Sequence, residues 1–147
     1  MKIKNAIFIP GNVPSSKNSK IKTKHGIFAS KTVKKYLSNL GIQRYSVSKK
    51  QVTGFVRRDN EFAKFKDEFK LLVEKSKGDM IISFHFVRAT KHKFDFHNMV
   101  QIIADLMVAH DFIEDDDMDH FIPMPFKVKK KWYSYNKENP GVWIKIN

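Results

Sequence analysis

The stretch that decides the fold is MIISFHFVRATKHKFDFHNMVQIIADLMVA, residues 80–109. Residues 80–87 are almost continuously apolar and rich in Ile, Phe and Val, which predicts a strand whose one histidine, His85, is packed in the interior. From residue 97 to residue 109 the apolar side chains recur three and four positions apart, which is the spacing of one helix face. These helical positions are Met99, Ile102, Ile103, Leu106 and Met107. The stretch therefore predicts a strand, a basic loop at 89–94 and an amphipathic helix.

Outside this stretch the chain alternates between strand-like and helix-like segments. In chain order we predict a strand at 2–10 ended by Pro10 and Gly11, a long loop at 11–29, a helix at 30–40, a second helix at 60–77, a strand and turn within 121–135, and a last strand at 141–146. Ser30 and Asn60 are the expected N-caps of the two helices, while residues 42–58 have no clear period. This order predicts an α+β fold in two layers, with one small mixed β-sheet covered by helices, in a single domain over residues 1–147.

The charge of the chain is large and unevenly distributed. The net charge is +13, from 28 Lys and Arg against 15 Asp and Glu. Residues 1–58 contain 14 Lys and Arg and no acid, whereas six of the 15 acids lie within residues 111–119. So basic a chain attracts polyanions through counterion release. Nucleic acid is the partner that we favour over a plain solvated face or a ribosome- or membrane-associated protein.

The chain contains no cysteine, which excludes disulfides and thiolate zinc sites. Its N-terminal residues lack the apolar core of a signal peptide, and no run is long enough to span a bilayer. We therefore expect a soluble protein of the cytoplasm that has no membrane partner.

Polar side chains with the chemistry of metal ligands flank the predicted helix 97–109. Asp95 and His97 are two residues apart, so in an extended segment they point to the same side. If the acidic loop after the helix folds back, Asp115 or Asp116 meets Asp95, and converging carboxylates repel each other unless a cation lies between them. Mg²⁺ is the natural occupant, because it binds one or two carboxylates together with waters and phosphate oxygens.

Each of these residues also has a plainer interpretation. Asp95 is equally expected as the N-cap of the helix, and His97 as a cap or a surface residue. The run 115–119 fits a solvated turn, whereas a calcium loop is disfavoured because its glycine and terminal glutamate are missing at the required spacing. Three further polar residues lie opposite the apolar stripe of the helix: Asn98, Gln101 and Asp105.

In order and spacing, these polar residues resemble the core of the RusA-type Holliday junction resolvases. The matching residues are Asp95, His97, Asn98, Gln101, Asp105 and the segment Ile113-Glu114-Asp115-Asp116. The pattern of that family is Asp-x-Asp-Asn, a Lys three residues on, a helical Asp four further, and an Asp-Asp pair after a short turn. The opening segment from Pro10 to Ser19 also resembles the first loop of the family, so the resemblance spans nearly the whole chain.

The resemblance implies a homodimeric, Mg²⁺-dependent endonuclease of phage or prophage origin that acts in a bacterial host. It would bind four-way DNA junctions, nick paired strands symmetrically in recombination or repair, and need no small-molecule cofactor. By position, Asp95 matches the first metal-binding Asp and Asp116 the last, with Asp115 beside it. His97 stands where the family has its second Asp, and Gln101 where it has the Lys. Because a neutral imidazole is a softer ligand than Mg²⁺ usually takes, these departures leave open a preference for Mn²⁺, weak activity or none.

Basic residues around the site are the expected DNA contacts. They are Lys17, Lys20, Lys22, Lys24, Arg57, Arg58, Lys91 and Lys93. The lysines of the opening loop alternate with polar residues, and such a loop offers ammonium groups and backbone amides to phosphates. Any one of these residues alone fits a solubilising charge better than a specific contact. Lys91, His92 and Lys93 are also alternative sources of the positive charge that Gln101 lacks.

Three functions are therefore in competition. The first is a structure-selective endodeoxyribonuclease acting on branched DNA. The second is a DNA-binding protein of the same family that is catalytically weak or inactive, which the departures at His97 and Gln101 motivate. The third is a basic RNA-associated protein, which the composition permits but which leaves the acidic cluster unexplained.

Overall fold

A computed structural model describes residues 2–14, 20–23, 26–29, 31–42, 44–47, 52–55, 60–76 and 81–146. In chain order the elements are β1 (Ala6–Pro10), β2 (Lys20–Thr23), β3 (Gly26–Ala29), α1 (Lys31–Asn39), β4 (Arg44–Val47), β5 (Val52–Phe55), a 3-10 turn (Ala63–Phe65), α2 (Lys66–Lys75), β6 (Ile81–Arg88), α3 (Phe96–Ala109), β7 (Ile122–Pro125), β8 (Ser134–Tyr135) and β9 (Gly141–Ile146). No helix in these ranges is both long and apolar enough to cross a membrane.

The main sheet has five strands and mixes both pairing directions. Its order is β1-β9-β6-β7, and β8 pairs with β6 as well. β9 runs antiparallel to both β1 and β6, whereas β7 and β8 run parallel to β6. A parallel partner requires the chain to cross back over the sheet, and α3 makes that crossing between β6 and β7. The predicted α+β fold with one mixed sheet is thus confirmed.

β6 and α3 form the centre of the core, as their sequence patterns predicted. Residues 82–88 of β6 are all buried. The faces of β6 and α3 meet through apolar side chains, so that Phe84 and Ile103 are fully buried, while Ile102 is only partly buried at the edge of the apolar stripe. Each fully buried side chain of this size contributes roughly 1.5–3 kcal/mol of stability through its removal from water.

The N-cap predicted at Asn60 is displaced: Phe62 and Phe65 occupy the N-cap positions of the 3-10 turn and of α2, but Asn60 still hydrogen-bonds to the turn. Its Oδ1 accepts a hydrogen bond from the Ala63 amide at 2.8 Å. Its Nδ2 lies 3.0 Å from Nε2 of His110, and Nδ1 of His110 lies 2.8 Å from the Leu106 carbonyl oxygen. Because a carbonyl oxygen only accepts, Nδ1 carries the proton and Nε2 accepts from Asn60. The start of the α2 region is therefore tied to the end of α3.

Several predicted boundaries were wrong. The predicted loop at 11–29 contains an antiparallel hairpin of β2 and β3, in which Lys20 pairs with Ala29 and Thr23 with Gly26. Four-residue strands carry only two polar–apolar alternations, too few to stand out from a basic loop. The unassigned stretch 42–58 likewise contains the hairpin of β4 and β5.

The ends of the longer elements also differ from the predictions. The first strand begins at Ala6 rather than at residue 2, after Asn5 with a positive φ of 57°. The second helix starts as a 3-10 turn and ends at Lys75, and the third begins one residue early, at Phe96. Ser30, the predicted cap of α1, lies outside the described residues.

Candidate functional site

Asp95 lies at the N-terminus of α3, where it acts as the helix cap. Its backbone is extended, with φ −108° and ψ 117°, and its Oδ1 accepts a hydrogen bond from the His97 amide at 2.9 Å. This geometry confirms the capping interpretation, which the helix dipole strengthens because a carboxylate is favoured at a helix N-terminus. Among the described residues no Lys or Arg forms an ion pair with Asp95. Its second oxygen has no cationic side chain as an ion-pair partner in the part of the chain that the structure describes.

The remaining polar residues of α3 differ in their surroundings. His97 is exposed, and its ring packs edge-on against Phe96 at a centroid distance of 5.9 Å. Nε2 of Gln101 donates to Oδ1 of Asp105 at 3.0 Å, an i,i+4 contact on the exposed helix face. Nδ2 of Asn98 is buried and has no hydrogen-bond partner within the described part of the chain.

The acidic loop (residues 111–120) begins at the other end of α3. The helix has 14 residues, so its ends are about 21 Å apart at 1.5 Å per residue. The loop leads into β7, whose Ile122 pairs with Ile81 at the start of β6, whereas Asp95 follows the end of β6. Both ends of the acidic loop are thus anchored far from Asp95. Asp115 or Asp116 could meet Asp95 only if the loop rearranged and folded back along α3.

The structure does not gather the predicted metal ligands into one set. Across residues 2–14, 31–42, 60–76 and 81–146, no three His, Asp or Glu side chains are grouped so that they could hold a metal ion. Asp115 instead accepts a hydrogen bond at its Oδ1 from the Asp116 amide at 2.8 Å, and both side chains are exposed. The metal site made of Asp95, His97, Asp115 and Asp116 stays a prediction.

Within the acidic loop, one histidine bridges two carboxylates. Nδ1 of His120 lies 2.7 Å from Oδ1 of Asp117, and its Nε2 lies 3.2 Å from Oε2 of Glu114. The hydrogen bond with Asp117, and then the charges of both acids, raise the pKa of His120 above its ordinary value. The same hydrogen bond lowers the pKa of Asp117. The ring uses both nitrogens on different carboxylates, which stabilises an imidazolium rather than a metal ligand.

The loop before Asp95 is pinned from inside the fold by Arg88. This arginine is buried, and its Nη1 donates to the His92 carbonyl at 3.1 Å. Its guanidinium lies 4.6 Å from the centroid of the Phe94 ring, and burial lowers its pKa. Arg88 therefore fixes the loop that carries the predicted DNA contacts Lys91 and Lys93, both of which are exposed.

The opening loop of the chain starts beside the loop that precedes Asp95. Oδ1 of Asn12 accepts a hydrogen bond from the Ala89 amide at 3.0 Å, which joins the end of β1 to the end of β6. The predicted contacts Lys17, Lys24, Arg57 and Arg58 lie outside the described residues, as do the side chains of Lys20 and Lys22 in β2. The described start of the loop therefore lies at the Asp95 end of the molecule.

A second feature of this end was missed by the sequence patterns. β7 and β8 pair with the same edge of β6, and the chain between them leaves the sheet after Phe126. Val128 and Lys131 pair with each other, which forms a small hairpin that we call the lysine hairpin (residues 127–132). Its last residue begins a run of three aromatic residues in four positions, Trp132, Tyr133 and Tyr135. The five lysines and the lack of acids in residues 121–137 are the signal that could have found this hairpin.

Buried His85 hydrogen-bonds to both ends of the segment 126–134, which leaves the sheet between β7 and β8. Its Nδ1 lies 2.9 Å from the Phe126 carbonyl oxygen, and its Nε2 lies 2.7 Å from Oγ of Ser134. Because the carbonyl only accepts, Nδ1 donates to it and neutral Nε2 accepts from the Ser134 hydroxyl. Burial lowers the pKa of His85, which favours this neutral form. The prediction that His85 is a packed residue is confirmed, since it is 0% exposed.

Comparison of the chain with known protein families, with curated proteins and with solved structures gives no match. The resemblance to the junction resolvases therefore rests on the motif residues alone.

Proposed function

We propose that the protein binds branched DNA, four-way junctions in particular, and cleaves it as a metal-dependent endodeoxyribonuclease. The observation that supports this proposal is the position of Asp95. Its carboxylate, without an ion-pair partner among the described residues, lies next to a loop whose Lys91 and Lys93 are exposed. A carboxylate that retains room for a cation beside groups that attract phosphate is the arrangement that phosphodiester cleavage needs.

A divalent ion at this end would activate water and stabilise charge on the phosphate. The chain itself would contribute one carboxylate from Asp95, while exposed lysines hold the DNA backbone. Asp116 is the proposed second ligand, and two routes bring it there: rearrangement of the acidic loop, or donation of that loop by a second copy in the proposed homodimer. Mg²⁺ needs few protein ligands when substrate oxygens complete its shell, so substrate binding would drive the assembly.

The direct test is cleavage of a four-way DNA junction with Mg²⁺ or with Mn²⁺. We expect paired nicks from the wild type and none from Asp95→Asn or Asp116→Asn, while each variant still binds the junction. Asp119→Asn is the matched control, because it makes the same change in charge within the same loop and should leave cleavage intact. Absence of cleavage by the wild type with either metal and with several junction sequences would exclude the nuclease.

His97→Asp restores the acidic residue of the resolvase pattern and gives a test in the opposite direction. A second carboxylate two residues from Asp95 adds a hard oxygen ligand, which Mg²⁺ prefers to an imidazole. We expect cleavage with Mg²⁺ to increase relative to cleavage with Mn²⁺. An unchanged ratio of the two activities would show that position 97 does not contact the metal.

A second candidate function is a DNA-binding protein without catalytic activity. Two observations favour it: the polar residues at 97 and 101 differ from the resolvase pattern, and no set of three metal ligands is assembled among the described residues. This protein would bind junctions with a steep dependence on salt and with no requirement for a metal. In the cleavage assay it would retain the junction and leave every strand intact.

A further inference from the structure

The end of the molecule that carries Asp95 also exposes aromatic rings. Trp132, Tyr133 and Tyr135 expose 55%, 52% and 48% of their surface. Single exposed apolar residues are ordinary, but three large aromatic rings within four positions form a local apolar surface of the kind that marks an interaction site. Tyrosine and tryptophan suit such a site because each joins a flat apolar face to a polar edge.

Lysine side chains lie directly on two of these rings. Nζ of Lys127 is 4.8 Å from the centroid of Trp132, and Nζ of Lys91 is 5.1 Å from the centroid of Tyr135. The first pair follows from the hairpin, since the pairing of residues 128 and 131 makes 127 and 132 cross-strand neighbours. Attraction between an ammonium group and a ring face holds positive charge beside each aromatic surface.

The backbone of the lysine hairpin is held in an unfavourable conformation. Its two turn residues, Lys129 and Lys130, have positive φ values of 50° and 67°. This is the type I′ turn, for which Asn-Gly is the preferred sequence, so two lysines at these positions add backbone strain. The presence of two lysines at these positions therefore does not serve the stability of the turn. It serves instead to expose positive charge at the tip of the hairpin.

The charges and rings together select one kind of partner. Residues 121–137 contain five lysines and no acid, so the surface is complementary to an anion. Aromatic faces interleaved with lysines are the pattern of proteins that bind single strands, in which bases stack on the rings and phosphates contact the cations. Duplex DNA keeps its bases stacked inside the helix and offers no base face to such a ring.

We propose that Trp132 and Tyr135 stack on unpaired bases of DNA while the surrounding lysines contact the adjacent phosphates. The proposal rests on the DNA-binding half of the proposed function and extends it from paired junction arms to branched DNA that also contains unpaired nucleotides. Tyr133 links this surface to the site, because its ring packs edge-on against Phe94 at 4.9 Å and Phe94 immediately precedes Asp95. This contact places the aromatic surface beside the residue that immediately precedes Asp95.

The test compares two ligands that differ only in their bases. One is a single-stranded oligothymidine of about 12 nucleotides, within the range that one binding surface covers, and the other is an abasic strand of the same length. Fluorescence anisotropy in the presence of a chelator measures both affinities without cleavage. We expect the wild type to prefer oligothymidine by roughly tenfold or more. In Trp132→Leu/Tyr135→Leu this preference should disappear while the affinity for the abasic strand stays the same.

Tryptophan fluorescence gives a second measurement that does not depend on these variants. Trp143→Phe leaves Trp132 as the only tryptophan of the chain, so quenching reports on its own surroundings. We expect oligothymidine to quench this signal and the abasic strand to leave it nearly unchanged, because only a stacked base contacts the indole. The oligothymidine titration is repeated at several salt concentrations. The quenching at saturation should stay the same while the affinity falls, because a base that is already bound stacks on the indole independently of salt.

The outcomes separate this proposal from the proposed function. Equal affinity of the wild type for both strands, or equal losses for both in the double variant, would overturn stacking and leave charge-driven DNA binding in place. Binding of neither strand, nor of a junction, would overturn the DNA-binding function itself. If Asp95→Asn loses junction cleavage and nothing else, that result concerns only the proposed metal site. It leaves the stacking proposal unaffected, because the binding measurements contain no metal.

Discussion

The charge of His120 depends on two carboxylates of the acidic loop, Asp117 and Glu114. Because its pKa is raised, this contact stabilises the fold fully below the ordinary histidine pKa of about 6.5 and loses its effect as pH rises through the raised pKa. The pKa of Asp117 is lowered, so on the acid side the contribution is lost as pH falls through that value. The contact therefore acts between these two limits.

We predict that an NMR titration of His120 gives a pKa above about 6.5, and that Asp117→Asn lowers it further than Glu114→Gln does. The order follows from the causes of the shift, in which the hydrogen bond with Asp117 is the largest. Glu114→Gln is the matched control, since it removes one charge from the same loop while leaving that hydrogen bond in place. Equal effects of the two variants would contradict this assignment and indicate that only the net charge of the loop matters.

Asp95 shows what a sequence can and cannot say about one residue. An acid directly before an amphipathic helix predicts a cap, and the structure has that cap. The same residue type at the same position also fits a metal ligand, because each role uses one carboxylate oxygen. Only the arrangement of distant residues distinguishes the two roles, and that arrangement depends on how α3 and the acidic loop lie in the fold.

At the scale of elements, the lysine hairpin combines strain with charge, and the two can be separated by substitution. Lys129→Asn/Lys130→Gly supplies the residues that a type I′ turn prefers. We expect it to raise stability by about 1–2 kcal/mol, because a residue with a side chain costs about that much in the left-handed region. For a chain of this size the melting temperature should rise by roughly 3–6 °C. Affinity for DNA should fall, with the slope of log K against log salt reduced by about 2.

Lys129→Gln/Lys130→Gln is the control for this prediction. It removes the same two charges but keeps side chains at positive φ, so affinity should fall by a similar factor with no gain in stability. If both double variants leave DNA affinity unchanged, the hairpin does not contact DNA. If Asn-Gly fails to stabilise the protein, the turn is not strained.

How well each element could be predicted follows from its length. β6 and α3 were predicted within about one or two residues because a long apolar run and nearly four helical turns carry many matching positions. The hairpins of β2 with β3 and of β4 with β5 have strands of four residues, and β8 has two. Such strands exist because of their pairing with other segments, which no local period reveals.

At the scale of the whole molecule, topology decides where the charges lie. A strand, a helix and a second strand parallel to the first form a crossover, so the residues before the helix and those after it lie at opposite ends of the sheet. The sequence predicted the longer elements and their order, but not that residues 122–125 pair in parallel with β6. That one pairing fixes the end of the acidic loop beside Ile81, at the opposite end of β6 from Asp95. It also sets the basic and aromatic surface apart from most of the acids of this region.

The net charge of +13 leads to opposite effects of salt on the free protein and on its complex with DNA. In the free protein, excess positive charge repels itself, and added salt screens that repulsion. DNA at about a hundred times its dissociation constant adds roughly 2.7 kcal/mol of stability, or about 5–10 °C in melting temperature. Between about 50 and 200 mM salt, several phosphate contacts lose about a thousandfold in affinity, which removes nearly all of this gain.

We therefore predict that the two melting curves converge with salt. From about 50 to about 200 mM salt the melting temperature of the free protein should rise, and that of the protein with a four-way junction should fall. Differential scanning fluorimetry measures both series, and a neutral osmolyte series serves as the control for effects that are not electrostatic. A free protein that melts at the same temperature at every salt concentration would contradict the predicted self-repulsion of the basic chain. A complex whose melting temperature does not fall with salt would contradict DNA binding driven by charge.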